Sequence, residues 1–283
     1  MEIKHLNILI PTDFSEVSLL AFQAADKLAE KLPVSIHLLH VVEANESVIA
    51  GNPDWSEAVD TASLHQKEIE AMQHFDNLRL AGINFESHLK IGLLTDQINQ
   101  ASAEFEADLV IMGTKGADGF MEKISGSEAQ HVARHLKVPV LTLRPGTSVN
   151  LLKNILLVAD FERSEKEVQI NMIKAIASAF GSTIHLLQII QESDEKYADK
   201  ILTQMKLFAE KYQLENYETH LYRDRKVAEG VRNFNKEAEM DLVCIGTHGR
   251  KGISHLLFGS IAERLVNHCL KPLLTFQLKE QHA

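Results

Sequence analysis

Gly246-Thr-His-Gly249-Arg-Lys-Gly-Ile-Ser-His-Leu-Leu-Phe-Gly259-Ser260 and, 133 residues earlier, Gly113-Thr-Lys-Gly116-Ala-Asp-Gly-Phe-Met-Glu-Lys-Ile-Ser-Gly126-Ser127 share one spacing: glycine, two residues, glycine, nine residues, glycine, serine. Immediately before each lies a short apolar run with β-branched residues, Asp241-Leu-Val-Cys-Ile245 and Asp108-Leu-Val-Ile-Met112. That pattern predicts strands buried on both faces of a parallel sheet. The glycines are expected to begin where those strands end and, lacking a Cβ, to let the backbone take positive φ or approach a ligand closely. After Ser260, the apolar residues Ile261, Ala262, Leu265, Val266 and Cys269 recur on one helical face, so Gly259-Ser260 reads as a helix start. A helix start leaves free backbone N–H groups and a partial positive charge, which together favour a phosphate. An ordinary glycine turn with a serine N-cap would account for either copy alone. The duplication argues for more.

Outward from the loops the repetition continues. Val138-Pro-Val-Leu-Thr-Leu143 matches Lys271-Pro-Leu-Leu-Thr-Phe276 at the same offset, Asn7-Ile-Leu-Ile-Pro-Thr-Asp13 matches Asn154-Ile-Leu-Leu-Val-Ala-Asp160, and Ile36-His-Leu-Leu39 matches Ile184-His-Leu-Leu187. The chain is therefore a tandem repeat, divided as residues 1–146 and 150–283 around the linker Pro145-Gly146-Thr147-Ser148. Each half is of ordinary domain size. In the first, strands are expected near residues 8–11, 35–42, 84–91, 108–112 and 139–143, alternating with helices near 16–31, 61–81 and 94–106 and one after Ser127. The second repeats the order. Residues 44–60, with Gly51, Pro53 and Trp55, have no counterpart there and read as a loop insertion. Strands alternating with helices specify an α/β fold with a parallel sheet covered on both faces.

Composition sets limits. Hydrophobic residues make up 45% of the 283, and no apolar run approaches the ~18–20 residues of a membrane span. With no signal-peptide core at the N-terminus, the expectation is a cytoplasmic protein that does not bind membranes. Cys244 and Cys269, the two cysteines, offer neither a disulfide framework nor a metal spacing and are expected to be packing residues. The net charge of −10 lies in the first half, where 11 Lys and Arg face 21 Asp and Glu up to residue 147, against 18 and 18 beyond it. No basic surface is evident, which argues against nucleic acid as a partner. Fourteen histidines without a ligand spacing read as scattered surface residues, so no metal ligand is expected.

The whole chain resembles a tandem universal stress protein, two UspA-type domains in one polypeptide. The carriers of the resemblance are the two complete glycine signatures, which match the ATP-binding subtype of that family, and the opening Ile8-Leu-Ile-Pro-Thr-Asp-Phe-Ser15. Neither a Walker A motif nor a Gly-x-Gly-x-x-Gly turn after the first strand is present. The resemblance implies two tandem doubly wound, Rossmann-like domains of the HUP type, each a five-stranded parallel sheet of order 3-2-1-4-5, with the ligand at the switch point between strands one and four. It also implies that the halves pair edge to edge through their fifth strands as a pseudo-dimer, with a homodimer of whole chains left open. An uncovered strand edge would otherwise invite association.

Carried over residue by residue, the family's contacts put Asp13 and Asp160 on the ribose hydroxyls or a phosphate-bound Mg²⁺. Backbone groups of Val41 and Ile189 would meet the adenine, and Met112 and Ile245 would pack on the base. Gly113, Gly116, Gly126 and Ser127 in one half, and Gly246, Gly249, Gly259, Ser260 and Ile261 in the other, would surround the phosphates. A helix N-terminal charge is the bland role for Asp13 and Asp160, and core packing is that of the four apolar residues. The resemblance thus implies an ATP or other adenine-nucleotide sensor in stress adaptation, with no catalytic residue and little or no turnover. A slow ATPase and a dimerisation scaffold that binds no nucleotide are the alternatives. The second site is expected to be the tighter, because its spacer holds Arg250 and Lys251 where the first holds Asp118 and Glu122, and because Ile261 stands where the first has Glu128.

Overall fold

The computed structural model describes residues 5–43, 66, 69–74, 76–77, 84–114, 136–147, 149, 152–161, 170–248, 265 and 269–278. In the first half these form β1 (Leu6–Pro11), α1 (Glu16–Ala29), β2 (Val34–Glu43), β3 (Glu86–Gly92), α2 (Leu94–Glu104), β4 (Leu109–Gly113) and β5 (Val140–Leu143). In the second they form β6 (Asn154–Val158), α3 (Ile170–Phe180), β7 (Thr183–Ile190), a 3-10 turn (Glu192–Tyr197), α4 (Ala198–Lys211), β8 (Tyr217–Arg223), α5 (Val227–Ala238), β9 (Leu242–His248) and β10 (Leu273–Leu278).

All ten strands join one sheet of order β3-β2-β1-β4-β5-β10-β9-β6-β7-β8. Each half therefore has the order 3-2-1-4-5, with parallel pairs throughout, and the halves meet where β5 pairs with β10 antiparallel. In that seam Leu141 lies opposite Leu274, with Val140 opposite Thr275 and Thr142 opposite Leu273. Leu141 and Leu274 are the same position of the repeat, so a pseudo-twofold axis passes between them. Thr142 and Thr275, also equivalents, donate their hydroxyls across it to the Leu273 and Val140 carbonyls at 3.2 and 3.3 Å.

Local chemistry sets the elements. Ser15 caps α1 by accepting from the Ser18 N–H at 3.3 Å, and Ala21, Phe22, Ala25 and Leu28 form the buried stripe behind it. Asp108 and Asp241, which precede β4 and β9, clamp these strands to β1 and β6: Asp108 accepts from the Asn7 N–H, Asp241 from those of Lys153 and Asn154, at 2.8–2.9 Å. The repeated aspartate before Leu-Val thus has a structural duty. Two hydrophobic layers flank the sheet, one under α1, α3 and α4, the other under α2 and α5, and each contains residues of both halves. The outer strands β3 and β8 are half-exposed and carry Glu86, His88 and Lys90, and Glu218 and His220, side chains that discourage a further strand from adding there.

One boundary at a glycine loop differs from expectation. β9 runs three residues past Ile245, because β10 continues beside it and pairs Phe276 with Gly246 and Leu278 with His248. Gly246 therefore sits inside a strand, not after one. Cys244 and Cys269 are both buried, and burial pushes both thiols up from the ordinary range, which suits packing residues. Of the long helix expected near 61–81, residues 66, 69–74 and 76–77 are described and all are helical; the insertion at 44–60 and, apart from Leu265, the helices after both glycine loops lie outside the described residues.

Candidate functional site

In the first half the C-terminal ends of β1 and β4 part around the switch point, whereas in the second the β6–β9 ladder runs to the last residue of β6, Val158↔Ile245. The ladder between β1 and β4 runs through Ile8↔Leu109 and Leu9↔Val110, and both strands continue beyond it, to Pro11 and Gly113. β1 ends opposite Leu39 while β2 runs on to Glu43, so Val41 extends past the strand that would otherwise cover its edge. In the second half β6 ends opposite Leu187 and β7 continues to Ile190, which leaves Ile189 in the corresponding position. Among the described residues no strand pairs with β2 or β7 on that side beyond Leu39 and Leu187.

The side chains of the four apolar candidates go elsewhere. Val41, Met112 and Ile245 are 8%, 4% and 0% exposed and belong to the core beneath α2 and α5; Ile189 packs on the same core, against Gly230 of α5. Met112 and Ile245 therefore offer a base little surface. Gly113 ends β4, and a Cβ there would lie 2.6 Å from the Val17 carbonyl carbon, so its first role is the close approach of α1's opening turn. Gly116, Gly126, Ser127, Gly249, Gly259, Ser260 and Ile261 lie outside the described residues.

Asp13 is exposed at the tip of the β1–α1 turn and its Oδ1 accepts from the Ser15 N–H at 3.0 Å. Behind it, the buried Thr12 hydroxyl accepts from the Phe14 N–H at 3.0 Å and meets the Ser18 hydroxyl at 3.0 Å. Phe14 takes the left-handed conformation at φ 60° and lies against the rings of His40 and His74, with centroids 4.8 and 4.6 Å away. His40 Nδ1 donates to the Thr12 carbonyl at 2.8 Å, and burial holds the imidazole below its ordinary pKa against the opposing pull of that carbonyl and Asp13. Asp160 is half-buried. Its neighbour Phe161 is 1% exposed, packed edge-on to Phe208 at 5.1 Å, with its N–H donated to the Gln188 Oε1 at 2.9 Å. Position 40 and its repeat equivalent 188 thus pin the same turn by opposite chemistry, an imidazole donor in one half and an amide acceptor in the other.

Three features escaped the sequence. The Thr114 hydroxyl, next to Gly113, is buried and finds no hydrogen-bond partner among the described residues, where the glycine loop begins. A cleft of about 690 Å³ opens where β7 and β8 end and α5 begins, lined by Gln191, Glu192, Ser193, Arg223, Asp224 and Arg225. Histidines also fall into two matched clusters, His37 with His88 and His185 with His220, each beside a glutamate. Their partners sit on neighbouring strands, far apart in the chain, where no short spacing could betray them.

Two doubly wound halves joined through their fifth strands define a tandem Rossmann-like α/β protein. The universal stress protein family profile matches residues 5–144 and again 152–277. The chain belongs to the universal stress protein family. Among curated relatives, a universal stress protein of Synechocystis sp. is 23% identical over 96% of this chain and 99% of its own. Universal stress protein G of Salmonella typhimurium is 28% identical over 48% of this chain and 97% of its own. The crystal structure of a universal stress protein from Archaeoglobus fulgidus superposes with a TM-score of 0.69 at 21% identity, covering 96% of this chain and 98% of that one, a likeness of fold. Among the described residues no helix is long and apolar enough to cross a membrane.

Proposed function

We propose that this universal stress protein binds ATP or another adenine nucleotide at the two switch points and acts as a regulatory sensor with little or no turnover. The observation that carries the reading is the complete Gly-x2-Gly-x9-Gly-Ser spacing, present twice and entered in both halves from the strand beside the switch point. Support comes from the edges at Val41 and Ile189, which no strand pairs on the β1 and β6 side among the described residues, from exposed Asp13, and from the buried Thr114 hydroxyl, which has no partner among the described residues and which a phosphate oxygen or ribose hydroxyl would satisfy. The chain's part is to bind and orient. Asp13 and Asp160 would hold ribose hydroxyls or Mg²⁺, and the amides after Gly113 and Gly246 the phosphates. We read the protein as acting in the cytoplasm.

Small molecules released from the purified protein would be identified by mass spectrometry, and single-turnover hydrolysis of ATP with Mg²⁺ measured alongside. An adenine nucleotide that turns over far below 1 s⁻¹, roughly the lower end of ordinary enzymes, is the expected result. A rate near that value favours the ATPase, and failure to copurify or to bind added adenine nucleotide favours the scaffold. Ser127→Ala and Ser260→Ala report on the separate sites. The second is expected to cost more affinity, because Arg250 and Lys251 strengthen the field around its phosphates.

A further inference from the structure

On the outer strand pair of each half, one side chain from the inner strand and two from the outer strand converge. His37 of β2 stands opposite Glu86 of β3, with His88 two residues on; His185 of β7 stands opposite Glu218 of β8, with His220 two residues on. The register is identical. In the second half His185 Nδ1 lies 2.9 Å from His220 Nε2 and 3.6 Å from Glu218 Oε2, and His220 Nε2 lies 3.6 Å from the same oxygen. In the first, His37 Nδ1 lies 3.2 Å from His88 Nε2 and 3.5 Å from Glu86 Oε2. A tetrahedral ion with ligand bonds of about 2.0–2.1 Å would hold its donors roughly 3.3–3.4 Å apart.

We propose that each half carries a site for a divalent transition-metal ion of zinc's class, built from His37, Glu86 and His88 in one half and His185, Glu218 and His220 in the other. Two imidazoles and a carboxylate suit such an ion and leave a coordination position for water or a ligand. The rings are held in place. His37 and His88 both stack on Phe105, at 4.8 and 4.0 Å, and His220 packs on Phe234 at 5.1 Å. His185 Nε2 lies 3.3 Å from the Asn154 Oδ1, which accepts its N–H and so leaves the Nδ1 lone pair facing His220 and Glu218. Burial, helped by the neighbouring ring for His88 and His185, lowers the pKa of His88, His185 and His220, so these imidazoles are neutral at neutral pH, the form that ligates. The carboxylates, with side chains 76% and 60% exposed at Glu86 and Glu218, leave an ion a path from solvent. The clusters lie four residues before Val41 and Ile189 along their strands, about 13 Å from the nucleotide crevice.

A histidine pair that only ties adjacent strands together would show the same N···N contact, so the test is the metal itself. The full chain, stripped with chelator and free of nucleotide, is titrated with Zn²⁺ by calorimetry and with Co²⁺ by visible absorption at pH 7.5. Two Zn²⁺ per chain are expected, falling to one in His88→Gln, one in His220→Gln and none in the double variant, with circular dichroism unchanged. If a histidine variant fails to fold, Glu86→Gln and Glu218→Gln take its place, since both carboxylates are mostly in water. Each should weaken its own site roughly tenfold or more, no less than the loss of an outer-shell partner. No Zn²⁺ bound by the parent, or a stoichiometry and affinity the same in all variants, overturns the proposal.

Discussion

Gly113 shows how a single residue can carry a signature and a packing duty together. Its place in the glycine spacing suggests freedom to approach a phosphate, yet the group that crowds it is the backbone of Val17 in the first turn of α1. Gly113→Ala is therefore expected to lower unfolding stability by about 3 kcal/mol or more, with or without nucleotide, since main chain and not a flexible side chain must yield. Urea unfolding of nucleotide-free protein checks it, and parent-like stability would restore a purely ligand-facing role. The same scale shows what the sequence could not reveal. His37 and His88 lie 51 residues apart and meet only because β2 and β3 pair in one register. Thr114, between two glycines of the signature, has a buried hydroxyl with no partner among the described residues, which no spacing records. Asp108 and Asp241, by contrast, were visible as part of the repeat but gave no hint that they clamp neighbouring strands.

At the scale of elements, the apolar runs and caps were largely legible. α1 starts at Glu16 behind Ser15, and β2, β4 and β5 begin and end within a residue of where the apolar runs put them. The length of β9 depends on a neighbour: β10 extends to Leu278 where β5 stops at Leu143, and no local propensity records that difference. Strand order came from the family resemblance, not from periodicity, which has nothing to say about neighbours. The β5–β10 seam offers a test of its own. Thr142→Val together with Thr275→Val keeps shape and strand propensity but removes both hydroxyl donors that cross the axis. A loss of about 1 kcal/mol per hydroxyl is expected as a lower urea midpoint at unchanged slope, and no loss would mean that the seam rests on its backbone ladder and apolar contacts alone.

For the whole molecule, four histidines tie stability to pH. His40, His88, His185 and His220 all have pKa values lowered by burial, opposed in part by Asp13 at His40, by Glu86 and Glu104 at His88, and by Glu218 at the other two. Their unfolded counterparts, with ordinary values near 6.5, take up protons first. The unfolded state then binds more protons, so stability is fully present above about pH 7 and falls as pH drops through 6.5 towards the folded values. Urea midpoints of metal-free protein at pH 7.5, 6.5 and 5.5 should decline in that order. A flat series would contradict the burial of these rings.

The joining of β5 to β10 within one polypeptide has a further consequence. Had the same sheet been assembled from two separate identical chains, its survival would depend on how dilute the protein is, and any change to one chain would appear in both. Here the partner is tethered by the short stretch around Gly146, so the seam does not come apart on dilution. Each half is also free to drift alone. Phe14, exposed enough to stack on two histidines, and Phe161, sealed against Phe208, are the same inherited position already gone separate ways. A covalent pair of this kind can keep one pocket for one ligand while the other is remade.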